Sequence, residues 1–221
     1  MMRALVLALL LLGCDGDDGS DTPRPRPVAS NPATEWQIGP ITSNGGNYSE
    51  GVPLNPERVG AGFAFDIPYP NRMAGHVHYI TKKASLTGKT RIVMRYRVDM
   101  AEGVQLVPTK EQPGPPSMLT LYFQRRGDNW SGSGDYEDYR WYATFSTHMP
   151  VTAGEHEIAA PLDGNWTAVM TSSALTNPSG FRDAVANAER VGFVLGGGDG
   201  YGHGVYSTGP ARFTVTHFGV E

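Results

Sequence analysis

Cysteine is almost missing from this sequence of 221 residues, in which Cys14 is the only thiol. A single cysteine cannot form a disulfide within the chain, and it cannot build a zinc site from several thiolates. The fold must therefore be stabilised by packing. No apolar stretch reaches the roughly 20 residues of a membrane-spanning helix, so the sequence predicts no transmembrane segment.

Basic residues are also in the minority. The chain has 18 Lys and Arg against 22 Asp and Glu, and its formal net charge is −4 at pH 7. A mildly acidic protein has no general electrostatic attraction for nucleic acid, so no nucleic-acid partner is expected. The sequence also lacks an HExxH motif, a nucleophile elbow and a catalytic-triad signature, and none of these common catalytic mechanisms is indicated.

The N-terminus has the order of a bacterial export signal. Arg3 supplies a positive charge, residues 4–12 form an apolar run, and Gly13-Cys14 ends it. The segment Leu11-Leu12-Gly13-Cys14 resembles the bacterial lipobox, in which the cysteine is diacylated and the preceding peptide is removed. The resemblance implies that residues 1–13 are a signal peptide. It also implies that Cys14 anchors the exported protein to the bacterial membrane, in the periplasm or at the cell surface. An ordinary secretory signal with an incidental cysteine is the alternative.

Residues 14–34 are rich in Asp, Gly and Pro and show no apolar periodicity. The acids at their start repel one another, and the stretch Pro-Arg-Pro-Arg-Pro favours extended polyproline geometry. We expect a flexible linker that holds residues 35–221 away from the membrane. Those residues are enough for one well-buried domain.

Alternation of apolar and polar residues dominates residues 35–221. In the segment Arg91–Met100, for example, apolar side chains occupy every second position from Ile92 onward. This period of two predicts half-buried strands, separated by turns rich in Gly, Pro and Asn. Helical spacing is found only in residues 181–190, with Ser179 as the expected N-cap. The other predicted strands are residues 77–81, 118–126, 139–145, 156–159, 166–170, 191–195 and 212–218.

Many strands, one short helix and no βαβ rhythm predict an all-β fold. Its expected architecture is an antiparallel two-sheet β-sandwich, with a jelly roll as the expected version.

Several segments occur in the order seen in a known class of jelly roll. They are LDGNWT (162–167), SGF (179–181), VGFVLGGG (191–198) and GHGV (202–205). This order resembles the C-terminal half of galactose-binding-like domains, the scaffold of many carbohydrate-binding modules. The segments YFQRRGDNW (122–130) and YRWY (139–142) are similar to a family of uncharacterised secreted bacterial proteins of the same architecture. The resemblance implies a jelly roll that binds carbohydrate.

Polar side chains share one phase on three predicted strands. If the strands are neighbours, these side chains form one patch of guanidinium, amide and phenol groups, which suits acidic glycans. The alternative is a solvated sheet face. The candidates are Arg95, Arg97, Tyr122, Gln124, Arg126, Arg140 and Tyr142.

Loop residues supply further candidates. Trp130 and Tyr136 lie among small polar residues and could stack on sugars, while Tyr201 and His203 could line a pocket at the rim. His76 and His78 could form a metal site or a polar patch. Four acids of the loop 127–138 are expected to be solvated, and a structural calcium ion, the one cofactor considered, is the alternative. The calcium candidates are Asp128, Asp135, Glu137 and Asp138.

Three functions are compatible with these patterns. The first is non-catalytic glycan binding by a lipid-anchored envelope protein. The second is a polysaccharide lyase or hydrolase that uses Arg, Tyr and His residues on the same scaffold. The third is a structural envelope lipoprotein that contacts a protein partner through a sheet face. We expect the first.

Overall fold

The computed structural model describes residues 33–39, 49–110, 116–170 and 172–221. The expected signal peptide, Cys14 and nearly all of the linker lie outside the described residues. In chain order the elements are β1 (Trp36–Ile38), β2 (Glu57–Val59), β3 (Gly62–Ile67), β4 (Tyr79–Lys83), β5 (Arg91–Met100), β6 (Leu106–Pro108), β7 (Met118–Arg125), β8 (Arg140–Tyr142), β9 (Met149–Pro150), β10 (Gly154–Pro161), β11 (Thr167–Ala168), α1 (Pro178–Ala186), β12 (Ala188–Gly196), β13 (Val205–Ser207) and β14 (Ala211–Val220).

These strands form an all-β antiparallel sandwich, as the sequence predicted. The first sheet has the order β1-β4-β12-β7-β8-β11, with β9 paired to the end of β7. The second sheet has the order β10-β5-β14-β3-β2, and β13 and β6 form a separate pair. The more specific jelly-roll connectivity stays a prediction. Among the described residues, no helix has the length and apolar character needed to cross a bilayer.

The main core lies between the two large sheets. In β5 the alternation works as expected, since Met94, Tyr96 and Val98 are buried while Arg95 and Arg97 are exposed. Aromatic rings join the two layers across the core. For example, the ring centroids of Phe193 in β12 and Phe213 in β14 are 5.3 Å apart.

The first sheet is also buried on its outer face. In β7 every residue from Leu119 to Gln124 is buried, so both phases of the strand are covered. Leu119, Leu121 and Phe123 face the main core. On the other face a second apolar cluster contains Tyr79, Tyr122, Tyr142 and Val194, with Trp130, Val169 and Tyr201 packed against it. This second cluster is the base of the candidate site.

The helix differs from the prediction at both ends. It begins after Asn177, whose side chain accepts a hydrogen bond from the Gly180 N–H at 3.0 Å, so Ser179 is not the cap. Pro178 explains the earlier start, because its fixed φ suits the first helical position. The predicted helical residues from Ala188 onward instead begin β12, which pairs with both β4 and β7.

Candidate functional site

A cleft of about 420 Å³ opens on the outer face of the first sheet. Its floor is formed by Tyr79 of β4 and by Arg140 and Tyr142 of β8. One wall is the loop that carries Trp130, and the opposite wall is the glycine-rich loop that carries Tyr201 and His203. The cleft therefore lies where two long loops fold over the aromatic face of the sheet.

Phenol groups dominate the floor. The hydroxyls of Tyr79 and Tyr142 are 2.5 Å apart and share a hydrogen bond. Tyr79 contacts Trp130 edge to face with 5.1 Å between ring centroids, and Tyr142 contacts Tyr201 in the same way at 5.0 Å. Burial raises the pKa of both Tyr79 and Tyr142, so these two phenols are protonated and neutral at ordinary pH.

A buried ion pair includes the arginine of the floor. The carboxylate of Asp128 lies 2.9 Å from Nε of Arg140, and the two side chains are 0% and 6% exposed. Gln124 donates a hydrogen bond to the same carboxylate at 2.8 Å. Burial raises the pKa of Asp128, while Arg140, the Trp130 N–H and Gln124 act in the opposite direction. Burial also opposes the charge of Arg140, but the surrounding Tyr142, Tyr79 and Asp128 leave its pKa raised.

The same ion pair positions the tryptophan wall. Asp128 accepts a hydrogen bond from the Trp130 N–H at 3.0 Å, and Arg140 donates to the Trp130 carbonyl at 2.9 Å. The guanidinium carbon of Arg140 lies 5.1 Å from the centroid of the Trp130 ring, which is cation–π distance. The loop is thus fixed to the sheet by contacts from both residues of the pair.

Histidines form the opposite side of the cleft. The His203 N–H donates to Nε2 of His78 at 2.7 Å. Because Nε2 must present a lone pair to this donor, the His78 imidazole is neutral. The pKa of His78 is lowered to about 3, chiefly by burial and also by the nearby His203, His76 and Arg140, while the Tyr201 carbonyl acts in the opposite direction. Gly202 allows this close approach, since a Cβ there would lie 2.7 Å from the His78 ring.

Unusual backbone conformations occur in both walls. Among the described residues, the non-glycine positions with positive φ are Trp130 at 68° and His203 at 72°. Both residues line the cleft. Left-handed backbone is costly for residues with a side chain and is concentrated at functional sites. The placement of these two rings therefore supports the cleft as the functional region.

Two cationic side chains lie at one end of the cleft. Arg72 comes from a single 3₁₀ turn, Arg72–Ala74, and its Nη1 donates to the Thr109 carbonyl at 3.4 Å. Lys110 follows Thr109 directly and also lines the cleft. The Thr109 hydroxyl in turn donates to the His203 carbonyl, which ties this end to the glycine-rich loop.

Only part of the predicted polar patch comes together. Tyr122 pairs with Tyr142, and Gln124 with Arg140, on the neighbouring strands β7 and β8. These side chains are buried under the loops and do not form a solvated patch.

The prediction that Arg95 and Arg97 share this patch is wrong, because β5 belongs to the second sheet. Arg95 pairs instead with Glu157 at 2.8 Å, and Arg97 pairs with Asp99 at 3.0 Å. Both of these ion pairs are exposed to solvent.

Two further candidates lie away from the cleft lining. Arg126 is exposed beyond the end of β7. Tyr136 is half-buried and packs on Tyr139 with 4.9 Å between ring centroids. Trp130 and His203, in contrast, both line the cleft, as do His76 and Tyr201.

The four calcium candidates do not form a common ligand set. Asp128 is engaged with Arg140, and Asp138 accepts hydrogen bonds from Ser172 at 3.0 Å and Asn177 at 2.5 Å. Asp135 and Glu137 are exposed. In the part of the chain that the structure describes, no group of three or more His, Cys, Asp or Glu residues could hold a metal ion.

Sequence reasoning missed several residues of the cleft. Tyr79 lies in a predicted strand, and its outward phase could have identified it. Arg72, Thr109 and Lys110 lie in turns or at strand ends, where no periodic pattern marks them. Only the tertiary fold brings them to the cleft.

Comparison with known proteins adds no assignment: no family model matches the sequence, and no curated protein matches it significantly.

Proposed function

We propose that this protein binds a carbohydrate, without catalysis, in the cleft on the outer face of the first sheet. The observation that carries the proposal is the pair of partly exposed rings, Trp130 and Tyr201, that line the cleft with hydrogen-bonding groups beside them. These two rings pack on the buried rings of Tyr79 and Tyr142. Aromatic rings pack against the apolar faces of sugar rings, and guanidinium, imidazole and hydroxyl groups bind sugar hydroxyls. The volume of about 420 Å³ is within the usual range for small ligands.

The floor chemistry favours binding over proton transfer. A tyrosine that acts as a base must lose its proton, but burial raises the pKa of both Tyr79 and Tyr142. The Nε2 lone pair of His78 is already occupied by the His203 N–H. Arg140 is neutralised by Asp128. These groups are suited to hold a ligand in a fixed orientation.

Affinity electrophoresis through gels that contain single polysaccharides tests the proposal. Trp130→Ala should reduce retardation at least about tenfold, because a central aromatic contact is removed. Tyr136→Ala is the matched control, since its ring belongs to the same loop but does not line the cleft. Circular dichroism checks that both variants fold.

Four results would contradict the proposal. Retardation by no polysaccharide would refute glycan binding, and an equal loss for Tyr136→Ala would place the ligand elsewhere. New reducing ends or unsaturated products after incubation with a polysaccharide would show that the protein is an enzyme. Capture of a specific envelope protein in the absence of any glycan binding would favour the structural alternative.

We also propose that the domain is presented in the bacterial envelope by a lipid on Cys14, as the lipobox resemblance implies. Two or three acyl chains, at about 0.8 kcal/mol per buried methylene, make a durable anchor. Cell fractionation of a Cys14→Ser variant tests this, and retention of that variant in the membrane fraction would contradict the anchor.

A further inference from the structure

We infer that the cleft selects a negatively charged sugar, and that Arg72 and Lys110 recognise its charge. This inference rests on the proposed carbohydrate binding. The ligand class is a glycan that carries carboxylate or sulfate groups. Neither residue stood out in the sequence, and both reach the cleft through the fold.

The charged side chains in the described lining of the cleft are all basic. Arg72, Lys110 and Arg140 line the cleft, and no Asp or Glu is among the described lining residues. The charge of Arg140 is neutralised by Asp128. Two further acids contact histidines of the lining, Asp199 at 3.3 Å from His203 and Glu50 at 4.0 Å from His76. Among the described lining residues, the Lys and Arg side chains without a carboxylate neighbour are therefore Arg72 and Lys110.

Arg72 and Lys110 also differ from most basic residues of the sheets in their ion pairing. Most arginines of the described sheets have a carboxylate partner within 4 Å, as Arg58 has Glu35 and Arg91 has Glu221. Among the described residues, Arg72 and Lys110 have no such partner. Their charges are therefore available to an incoming anion at that end of the cleft.

Local structure positions these cations for binding. Arg72 is held by a 3₁₀ turn in which the Asn71 side chain accepts from the Met73 N–H at 2.9 Å. Its guanidinium contacts the Thr109 carbonyl, and Thr109 directly precedes Lys110 in the chain. A guanidinium recognises a planar carboxylate or a sulfate with two parallel hydrogen bonds, and an ammonium adds a point charge. The neighbouring aromatic rings would contact the sugar itself.

A matched pair of ligands tests charge selection. Polygalacturonate and its fully methyl-esterified form share one backbone and differ in charge, and dextran sulfate against dextran repeats the comparison for sulfate. Calorimetry on the full chain measures the affinity for each glycan. In at least one of the two pairs, we expect the acidic glycan to bind at least about tenfold more tightly than its neutral partner. If the protein prefers only the carboxylated glycan or only the sulfated glycan over its neutral partner, the inference is supported equally, and the result identifies the anion.

Variants locate the effect. The double change Arg72→Gln with Lys110→Gln should weaken binding of the acidic glycan about tenfold or more and should weaken binding of its neutral partner much less. The control, Lys83→Gln with Lys89→Gln, removes the same charge from exposed lysines outside the cleft lining and should have little effect. Thermal unfolding of both double variants checks that the fold is kept.

The outcomes separate this inference from the proposed function. If acidic and neutral glycans bind equally, or if the two double variants lose the same affinity, charge recognition by Arg72 and Lys110 is refuted while carbohydrate binding stands. If no glycan of either kind binds, or if Trp130→Ala leaves glycan binding intact, the proposed carbohydrate site itself fails.

Discussion

Mild acid should destabilise this protein through one buried imidazole, that of His78. Its ordinary pKa is 6.5, and burial lowers it to about 3 in the fold. Between these values the unfolded chain binds a proton that the folded chain does not, so stability falls as the pH falls below 6.5. Each pH unit in this interval lowers the free energy of unfolding by about 1.4 kcal/mol. At pH 4.5 the free energy of unfolding is therefore about 3 kcal/mol lower than at pH 7.5.

Urea unfolding of the wild type and of His78→Gln, at pH 7.5 and at pH 4.5, measures this cost. Glutamine offers an acceptor to the His203 N–H but does not titrate in this range. The wild type should lose about 3 kcal/mol more than the variant over the interval, which is roughly 6–12 °C in Tm for a domain of this size. The pKa of His148 is also lowered by burial, but its contribution is common to both proteins.

Only the difference between the two pH dependences matters, because His78→Gln also changes packing at pH 7.5. Equal losses in wild type and variant would refute the reasoning. If the variant does not fold, NMR titration of the His78 ring in the wild type gives the same test, and a pKa near 6.5 would contradict the prediction.

Two further predictions concern single contacts. Asp128→Asn should cost about 3–5 kcal/mol in urea unfolding, since it leaves a buried guanidinium unneutralised, whereas Asp99→Asn in an exposed pair should cost at most about 1 kcal/mol. Similar losses of unfolding free energy for the two variants would contradict the prediction that the buried ion pair contributes more than the exposed one. Asn177→Ala should cost about 1 kcal/mol by removing the helix cap, and Ser179→Ala should cost much less. The reverse order would mean that the cap is misassigned.

The regular parts of the fold could be predicted from sequence. The strand Arg91–Met100 was predicted with its observed bounds, because alternation over ten residues, interrupted only at Val93, leaves little ambiguity. Short strands such as β6 and β13 have three residues each and therefore no period to detect. The helix start was misplaced because Asn177 and Ser179 are both good caps, and Pro178 decides between them.

The candidate site was less predictable, for two physical reasons. Alternation identifies the face of a strand but not the sheet to which it belongs, and so Arg97 was grouped wrongly with Tyr122. Alternation also cannot show that loops cover an outward face, which is why Tyr122 and Gln124 were expected in solvent. Arg72 is brought to the cleft only by contacts between distant segments.

Burial of the first sheet on both faces has a consequence for how the cleft can vary. The strands carry an aromatic surface that is almost completely buried under the covering loops, and the cleft lies between these loops. The loops 127–138 and 197–204 can therefore vary in sequence and length while the sheet beneath them stays constant. Loops of a different length at these two places would change the size and shape of the cleft while the strand registers stayed the same.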